Sequence, residues 1–288
     1  MDRMKELIEI LNKASKAYYQ EDREIMSDFE YDRLYDELVS LEAETGIILS
    51  GSPTQKVGHQ VLSSLRKVRH ESRMLSLDKT KDVNALKSFL GSNTGILSYK
   101  MDGLTVVLTY SNGELTQAVT RGNGEVGEDI THNARFFKNI PLKIDFKNEL
   151  VIRGEAVISF KDFNEINESL PPEEKYKNPR NLCSGTVRQL NSEISASRNV
   201  NFIAFALVKA EGKTFGDDKN ERFNWLESIG FECVKRQTVT SDNIEQAVID
   251  FEKQIPHNRF ATDGLVLTFT GIEYSESLGS VSYTHLTL

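Results

Sequence analysis

The segment that decides the fold class runs from Ile96 to Arg121 and reads ILSYKMDGLTVVLTYSNGELTQAVTR. Three runs within it have the length and the apolar, β-branched character of strands: 96–99, 104–110 and 115–121. Asn112-Gly113 separates the last two runs, and this dipeptide is typical of a two-residue hairpin turn. The segment therefore predicts antiparallel strands, with Lys100 and Asp102 at the turn between the first two.

The chain beyond this segment mixes extended and helical patterns. We expect strands at 150–158, 200–208, 231–239 and 264–269. We expect helices at 160–169, 181–190, 220–229 and 243–254. The run at 150–158 is interpreted as a strand pair or a bent strand, because Arg153-Gly154-Glu155 interrupts it. Strand hairpins with separated helices indicate an α+β domain that has mainly antiparallel sheets and flanking helices.

The first 70 residues follow a different pattern. Apolar residues recur at helical spacing over residues 1–20, so this stretch predicts an amphipathic helix. A second helix is expected to begin at Ser27, where Ser27-Asp28-Phe29-Glu30 has the form of a capping box. We therefore expect a small helical module at 1–70, followed by the α+β domain at 71–288.

The composition limits the classes of function. The 288 residues are 39% hydrophobic and 27% charged, as in ordinary globular proteins, and no apolar run is long enough to span a membrane. Two cysteines are too few for a disulfide framework, and five scattered histidines form no zinc-ligand spacing. The net charge of −8 argues against a non-specific nucleic-acid binder but is compatible with a local basic face. Because no secretory signal is visible, we expect a cytoplasmic protein.

Several polar residues stand close to the ends of apolar strands or helices. Lys100-Met101-Asp102-Gly103 taken alone also describes a surface ion pair beside a glycine turn. Glu155 lies among apolar residues, so it needs a partner, which is either a basic side chain or a ribose hydroxyl or a metal ion. Arg180 and Arg188 lie near the start of a predicted helix, where guanidinium groups and a helix N-terminus suit phosphate recognition.

A glycine-rich stretch follows the predicted hairpin. It contains Gly122-Asn123-Gly124-Glu125-Val126-Gly127, which matches the Gly-x-Gly-x-x-Gly pattern of dinucleotide-binding loops. Such a loop should open a crossover helix that leads to a parallel strand. Here it follows a hairpin strand, and its acidic residues would repel a pyrophosphate. We interpret it as a turn whose glycines permit positive φ, and which directs Arg121 toward an anionic ligand.

Taken together and in order, these motifs resemble the bacterial-type NAD-dependent DNA ligases across about residues 1–280. The matching motifs of the second part are Lys100-x-Asp102-Gly103, Thr120-Arg121-Gly122, Gly127-Glu128-Asp129-Ile130, Arg153-Gly154-Glu155, Asn178-Pro179-Arg180-Asn181 and Asp263-Gly264. The matching motifs of the first part are Tyr18-Tyr19, Ser27-Asp28, Tyr31-Asp32, Ser52-Pro53-Thr54, Val57-Gly58 and Met74-Leu75-Ser76-Leu77. The resemblance implies a nucleotidyltransferase domain preceded by a helical module that binds the nicotinamide mononucleotide half of NAD.

The resemblance implies that Lys100 attacks the α-phosphate of NAD and retains AMP as lysyl-AMP. A protonated lysine cannot attack, so nearby cations such as Arg121 are expected to favour its neutral form. Asp102 and Glu155 would position Mg²⁺, ribose or the lysine itself. The remaining implied contacts are Ser76, Leu77 and Ser98 to the adenosine, and Arg180 and Arg188 to nicked double-stranded DNA.

In the helical module the resemblance points to four residues, Tyr18, Asp28, Tyr31 and Asp32. Tyr18 would stack on the nicotinamide, and Asp28 and Asp32 would accept hydrogen bonds from its ribose or offset its positive charge. Asp28 and Asp32 are four residues apart and share a helix face, as do Tyr31 and Tyr35. Without the resemblance, the same pattern describes a solvated acidic stripe beside core tyrosines.

Three features depart from the family pattern. Ser98 replaces a glutamate, Thr268 replaces a lysine, and the tail ends before the family's last nucleotidyltransferase lysine and its oligonucleotide-binding, zinc and helix-hairpin-helix domains. We therefore expect the chain to form lysyl-AMP without complete nick sealing, because most DNA contacts would belong to the absent domains. We also expect a monomer. Two alternatives are kept: an NAD-binding oxidoreductase that uses Gly122–Gly127, and an inactive nucleic-acid interaction module.

Overall fold

The computed structural model describes residues 2–20, 25–45, 52–55, 65–71, 78–278 and 283–286. The chain divides into two compact units. The first comprises Met1–Ser76 and Arg121–Asp129, and the second comprises Leu77–Thr120 and Ile130–Leu288. Within the described residues, every helix is too short or too polar to span a membrane.

The helices and strands of the described residues have the following bounds. The helices are α1 (Asp2–Gln20), α2 (Asp28–Thr45), α3 (Val83–Leu90), α4 (Thr131–Ala134), α5 (Phe160–Ser169), α6 (Pro179–Val187), α7 (Ser192–Ser197), α8 (Lys219–Ser228), α9 (Ile244–Gln254) and α10 (Ile272–Ser277). The strands are β1 (Lys67–Arg69), β2 (Asp78–Thr80), β3 (Gly95–Met101), β4 (Leu104–Ser111), β5 (Glu114–Thr120), β6 (Val126–Glu128), β7 (Leu150–Val157), β8 (Asn201–Ala210), β9 (Arg236–Val239), β10 (Thr262–Phe269) and β11 (Tyr283–Leu286). Short 3-10 turns lie at Pro53–Gln55, Pro172–Glu174 and Ile255–His257.

The first unit contains a helical hairpin and a two-stranded ribbon. The apolar stripes of α1 and α2 pack on each other through Met4, Leu7, Leu11, Leu34 and Leu38. Burying each such side chain contributes roughly 1.5–3 kcal/mol. At the start of α2 the Ser27 hydroxyl accepts a hydrogen bond from the Glu30 backbone N–H, so the expected helix start is confirmed. The ribbon pairs β1 with β6 in antiparallel register.

A buried carboxylate fastens the Ser52-Pro53-Thr54 motif to helix α2. Glu42 accepts hydrogen bonds from the hydroxyl groups of Ser52 and Thr54, each at 2.6 Å. A buried carboxylate without such donors would be costly, so the two hydroxyls satisfy it while they anchor the motif.

The second unit contains two sheets. A five-stranded sheet has the order β2-β11-β10-β3-β9, and a four-stranded sheet has the order β5-β4-β7-β8. All pairings in them are antiparallel except that of β11 with β2. One face of the five-stranded sheet forms a hydrophobic core with helices α3 and α9, through residues that include Leu97, Tyr99, Leu265 and Phe251. The predicted fold class, α+β with mainly antiparallel sheets, is confirmed.

The hairpin predicted from Asn112-Gly113 is present between β4 and β5, and both residues have positive φ, at 54° and 81°. The strand predicted at 150–158 is one continuous strand, β7, whose pairing with β8 shifts register twice. Gly154 does not break it. Instead, a side chain at Gly154 would collide with the ring of Phe202 on β8, so glycine permits close packing there.

Candidate active site

Lys100 lies near the end of β3 and forms an ion pair with Asp263 on the neighbouring strand β10. Both side chains are about one-third exposed, at 29% and 35%, so the pair is open to a ligand. Two strands that pair directly therefore hold the amine and the carboxylate together.

An irregularity in β10 explains why Asp263 reaches Lys100. Thr262 is opposite Met101 and Gly264 is opposite Lys100, so Asp263 is one extra residue on β10. Such a β-bulge bends the strand and redirects a side chain. Gly264 has a φ of 144°, which glycine adopts without the strain of other residues. The Asp263-Gly264 pair thus combines a redirected carboxylate with the residue that makes the bulge possible.

Asp102 lies between β3 and β4 and is held at two points. Its backbone N–H donates to the carbonyl of Ala261 at 2.9 Å, and its carboxylate accepts from the Arg180 guanidinium at 2.9 Å. At Gly103, a Cβ atom would collide with the carbonyl oxygen of Ala156 on β7. Glycine is therefore required where the turn crosses β7, which explains the spacing of the Lys-x-Asp-Gly motif.

Glu155 lies on β7, in register with Thr105 of β4, and accepts a hydrogen bond from the Thr105 hydroxyl at 2.8 Å. Burial is the main cause that raises the pKa of Glu155, to which Asp102 adds and which Arg180, the Thr105 hydrogen bond and Lys100 oppose, and the result is a pKa of about 7. The carboxyl therefore holds a proton near neutral pH far more readily than an exposed glutamate does. Lys100, Asp102, Glu155 and Arg180 belong to one electrostatically coupled group.

Asp102 and Glu155 were also expected to position Mg²⁺. In the described part of the chain, no group of three or more Asp, Glu, His or Cys side chains is arranged to hold a metal. Mg²⁺ usually binds through one or two carboxylates and completes its shell with water and substrate phosphates. The coupled carboxylates Asp102 and Glu155 fit such an ion bound together with a nucleotide, and they do not form a closed protein cage.

The two departures from the family pattern, Ser98 and Thr268, lie on the face of the five-stranded sheet that carries Lys100. Ser98 is two residues before Lys100 and is buried. Thr268 is opposite Ile96 in the register of β10 with β3. The Thr268 hydroxyl accepts a hydrogen bond at 2.7 Å from the amine of Lys219, the first residue of α8.

The glycine-rich stretch after β5 is a turn. Gly122 and Gly124 have positive φ, and the chain continues directly into the short strand β6. No crossover helix opens there, so the stretch lacks the context of a dinucleotide-binding loop. Arg121 belongs to the first unit, where its carbonyl oxygen lies 3.1 Å from the His70 ring nitrogen Nε2.

Arg180 belongs to helix α6 and Arg188 is the residue directly after it; Asn178 caps the start of the helix by accepting from the Asn181 N–H. Arg180 is in the first turn and pairs with Asp102, so the structure brings it into the Lys100 group. Arg188 follows the last residue of the helix and donates to the Ser184 hydroxyl. The two guanidinium groups therefore lie at opposite ends of α6.

The candidate residues of the first unit are distributed over α1 and α2. Tyr31 is half-buried, shares a hydrogen bond with the Ser15 hydroxyl at 2.7 Å and stacks on Tyr35. Asp32 is half-buried on the same helix. Tyr18 belongs to α1 and Asp28 is the first residue of α2. The side chains of Tyr18 and Asp28 lie outside the described part of the structure, as do Ser76 and Leu77 altogether.

Sequence reasoning missed two residues of this region. Asp263 was named only within the Asp263-Gly264 motif of the resemblance and was given no role, although its position before a buried strand with the same turn chemistry as Asp102-Gly103 was a usable signal. Lys219 carried no signal, because a lysine at the start of a predicted helix is ordinary. Its contact with Thr268 depends on the packing of α8 and could not be read from spacing.

The chain matches two family models and many curated relatives. Residues 62–285 match the NAD-dependent DNA ligase adenylation domain, and residues 1–58 match the DNA ligase-like N-terminal NAD⁺-binding domain. It is 59% identical over 281 residues to a DNA ligase of Lachnoclostridium phytofermentans and 56% identical over 280 residues to one of Ruminiclostridium cellulolyticum. Each alignment covers 97% of this chain and 43% of the relative.

A more distant relative, a DNA ligase of Clostridioides difficile, is 35% identical over 96% of this chain and 43% of its own length. The chain thus spans less than half the length of the curated relatives that it matches. The predicted resemblance is confirmed, and the alternative classes are not favoured. This chain belongs to the NAD-dependent DNA ligase family, of which it carries the NAD⁺-binding and adenylation domains.

Proposed function

We propose that this chain catalyses the first step of NAD-dependent ligation at Lys100. The Lys100 amine attacks the α-phosphorus of NAD, a nitrogen–phosphorus bond forms, and the phosphorus–oxygen bond to nicotinamide mononucleotide breaks. AMP then remains on Lys100 as a phosphoramidate. The observation that carries this proposal is the grouping of Lys100 with three carboxylates, Asp102, Glu155 and Asp263, at an accessible end of the β3–β10 strand pair.

The proposal requires Lys100 to lose a proton before it attacks. The ion pair with Asp263 favours the ammonium form and orients it. Glu155 has a pKa of about 7 and is electrostatically coupled to Lys100, so it is able to accept a proton at neutral pH. Arg180 holds Asp102 in position and opposes the build-up of negative charge in this group.

Mg²⁺ bound with the nucleotide would offset the negative charge that develops on the phosphate during displacement. Asp102 and Glu155 are the proposed carboxylates for it. Ser76, Leu77 and Ser98 are the proposed contacts to the adenosine half of NAD. Arg121 is a further proposed contact, to the negative charge of the phosphate.

The module at 1–70 is proposed to bind the departing half of NAD, while 71–288 supplies the nucleophile. Tyr18, Asp28, Tyr31 and Asp32 are the proposed contacts. Tyr31 shares its hydroxyl with Ser15, so we expect its ring to contribute more than its oxygen. Because this half of NAD does not react, its binding energy would serve to orient the leaving group in line with Lys100.

The second substrate is proposed to be nicked double-stranded DNA, which would receive AMP at a 5′-phosphate. Arg180 and Arg188 are the proposed phosphate contacts, and a guanidinium has five donors, so Arg180 is able to contact a phosphate while it holds Asp102. The chain covers 43% of its relatives, so we expect AMP uptake without complete sealing. The proposed substrates suit a cytoplasmic monomer.

Intact-protein mass spectrometry after incubation with NAD and Mg²⁺ tests the proposal. We expect a single AMP adduct that peptide sequencing maps to Lys100, and loss of the adduct when a chelator removes Mg²⁺. Incubation with ATP in place of NAD is the matched control and should give no adduct. An adduct on another lysine, or none under any NAD condition, would contradict the proposal.

A further inference from the structure

A half-buried asparagine, Asn258, contacts both strands of the β3–β10 pair. It follows the 3-10 turn Ile255–His257, and its side-chain amide donates to the hydroxyl group of Thr262, the first residue of β10, at 3.1 Å. Burial raises the pKa of Tyr99 on β3, and a hydrogen bond between the Asn258 amide and the Tyr99 hydroxyl opposes that rise. An asparagine amide has two N–H donors, so a single side chain is able to serve both hydroxyl groups.

The two hydroxyl groups belong to the residues next to the ion pair of Lys100 with Asp263. Tyr99 directly precedes Lys100, and Thr262 directly precedes Asp263. Side chains alternate between the faces of a sheet, so the side chain of Tyr99 lies on the face opposite to that of Lys100. By its register with β3, Thr262 shares the face of Tyr99. The asparagine amide therefore joins the two strands directly behind the ion pair.

The β-bulge makes the hold on Thr262 important for Asp263. Asp263 is the extra residue between Thr262 and Gly264, and a bulged residue is left unpaired in the ladder. The direction of its carboxylate therefore depends on how its two neighbours are held. Gly264 gives the backbone freedom on one side, whereas on the other side the Thr262 hydroxyl accepts from Asn258.

Apolar packing is incomplete behind this end of the strand pair. A cavity of about 150 Å³ is lined by residues that include Tyr99, Met101, Asn258 and Phe260. Atoms that border unfilled space lose the dispersion contacts that hold a close-packed core. The hydrogen bonds of the Asn258 amide therefore supply restraint that packing does not supply here.

We propose that Asn258 is a positioning residue for the formation of lysyl-AMP, which fixes the bulge so that Asp263 orients Lys100 toward the α-phosphate of NAD. Asn258 acts through Asp263 and does not touch the nucleotide. The proposal rests on the proposed function, because it takes Lys100 to be the nucleophile. Orientation of the amine matters for the displacement itself, so loss of Asn258 lowers the rate of reaction and leaves NAD binding intact.

Kinetics separate this role from a merely structural one. Asn258→Leu keeps the size of the side chain and removes both donors. It should lower the maximal rate of adduct formation roughly threefold to tenfold, as expected for the loss of a net hydrogen-bond contribution. The NAD concentration that gives half-maximal rate should stay unchanged. Single-turnover experiments followed by intact-protein mass spectrometry would measure both quantities.

Asn139→Leu is the matched control. Asn139 is also half-buried, and its amide donates twice, to the carbonyl of Phe202 at 2.9 Å and to the carboxylate of Glu232 at 2.8 Å. These contacts are separate from the β3–β10 pair. Asn139→Leu should therefore lower the thermal stability without lowering the maximal rate.

A double-mutant cycle tests whether Asn258 acts through Asp263. In the Asp263→Asn background, Asn258→Leu should slow the reaction by less than about twofold, because the group that it positions is already altered. Thr262→Val breaks the same contact from the other side, so it should reproduce the loss of rate even if Asn258→Leu disturbs folding. Thermal unfolding would verify that each variant is folded.

Three results would overturn the proposal: rate losses that multiply in the double variant, a higher half-saturating NAD concentration with an unchanged maximal rate, or equal rate losses in Asn258→Leu and Asn139→Leu. A parent protein that forms the Lys100 adduct, with folded Asn258→Leu and Thr262→Val variants that react as fast, would overturn this proposal alone. A parent that forms no adduct on Lys100 would overturn the proposed function as well, so the two failures are distinguishable.

Discussion

Two lysine amines lie at the two ends of the β3–β10 strand pair, Lys100 on β3 itself and Lys219 at the start of α8, and their environments are opposite. Lys100 pairs with the carboxylate of Asp263 beside Asp102 and Glu155, in an open and densely charged region. The amine of Lys219 donates to the neutral hydroxyl group of Thr268, and burial lowers the pKa of Lys219. The same sheet face thus offers one amine that is oriented by charge and another that is positioned by hydroxyls.

The contrast teaches what each environment suits. Carboxylates around an amine orient it, and a carboxyl with a pKa near 7 is able to accept its proton. An amine in this environment therefore suits covalent chemistry. An amine that donates to neutral hydroxyl groups is held in position by them, so it suits recognition. The four predictions below test this division, beginning with the largest expected effect.

Lys100→Arg should abolish the AMP adduct, because a guanidinium stays protonated and cannot attack phosphorus. Intact-protein mass spectrometry with NAD and Mg²⁺ would measure it. Lys161→Arg, at an exposed site on α5, is the matched control and should leave the adduct intact. If Lys100→Arg still gained AMP, the nucleophile would have to be sought elsewhere, including at Lys219.

Asp263→Asn should slow adduct formation by roughly tenfold to a hundredfold, because the charge-assisted contact that orients Lys100 is lost. Thr268→Val, at the other end, should mainly raise the NAD concentration needed for half-maximal rate and leave the maximal rate near the parent value. Single-turnover kinetics over a range of NAD concentrations would separate the two effects. Equal effects of both changes on the maximal rate would break the proposed division.

Glu155→Gln should change the pH dependence of stability. The pKa of Glu155 is raised in the folded state to about 7, so the folded protein binds more protons than the unfolded chain between about pH 4.5 and 7. The parent therefore loses stability as the pH rises through this window, and the variant should not. Above pH 7 we expect the variant to be more stable by roughly 1–3 kcal/mol.

Urea unfolding at pH 5 and pH 8 would measure this difference. The same variant should form lysyl-AMP more slowly, because an amide cannot accept the proton of Lys100. A parent whose stability does not fall between these pH values would show that Glu155 is ionised throughout, and would remove it as a proton acceptor.

Asp32→Ala should have the smallest effect, a several-fold decrease in the adenylation rate at saturating NAD, since the departing half of NAD would be less well oriented. Tyr18→Ala should behave similarly. Adenosine binding should be unchanged in both, which would confine the effect to the part of NAD that leaves. Circular dichroism would verify the fold, and a variant that reacts as fast as the parent would make this helical region merely structural.

Local signals were enough to predict most elements of the fold. The Asn112-Gly113 turn fixed a hairpin, and the helix at Phe160–Ser169 was predicted with its observed bounds. Helix α3 was missed although Asp82 caps it and Gly91 ends it, because eight residues give a weak periodic signal.

The site was only partly predictable for a physical reason. Lys100, Asp102 and Glu155 each stand in a recognisable turn or strand, so their chemistry could be inferred one motif at a time. The ion pair of Lys100 with Asp263 joins positions far apart in sequence and depends on a one-residue bulge. Arg180 was expected at a phosphate, yet it lies on Asp102, because the packing of α6 determines where its guanidinium points.

The nine residues that follow β5, Arg121–Asp129, have a consequence for how the gene can be divided. Arg121–Asp129 belongs to the unit formed by Met1–Ser76, and its strand β6 pairs with β1. A clone cut near residue 70 would therefore encode Lys67–Arg69 without the strand that completes it, and the downstream clone would encode an orphaned partner strand. The two units are interleaved in the coding sequence, so a single cut in the gene cannot separate them into two complete units.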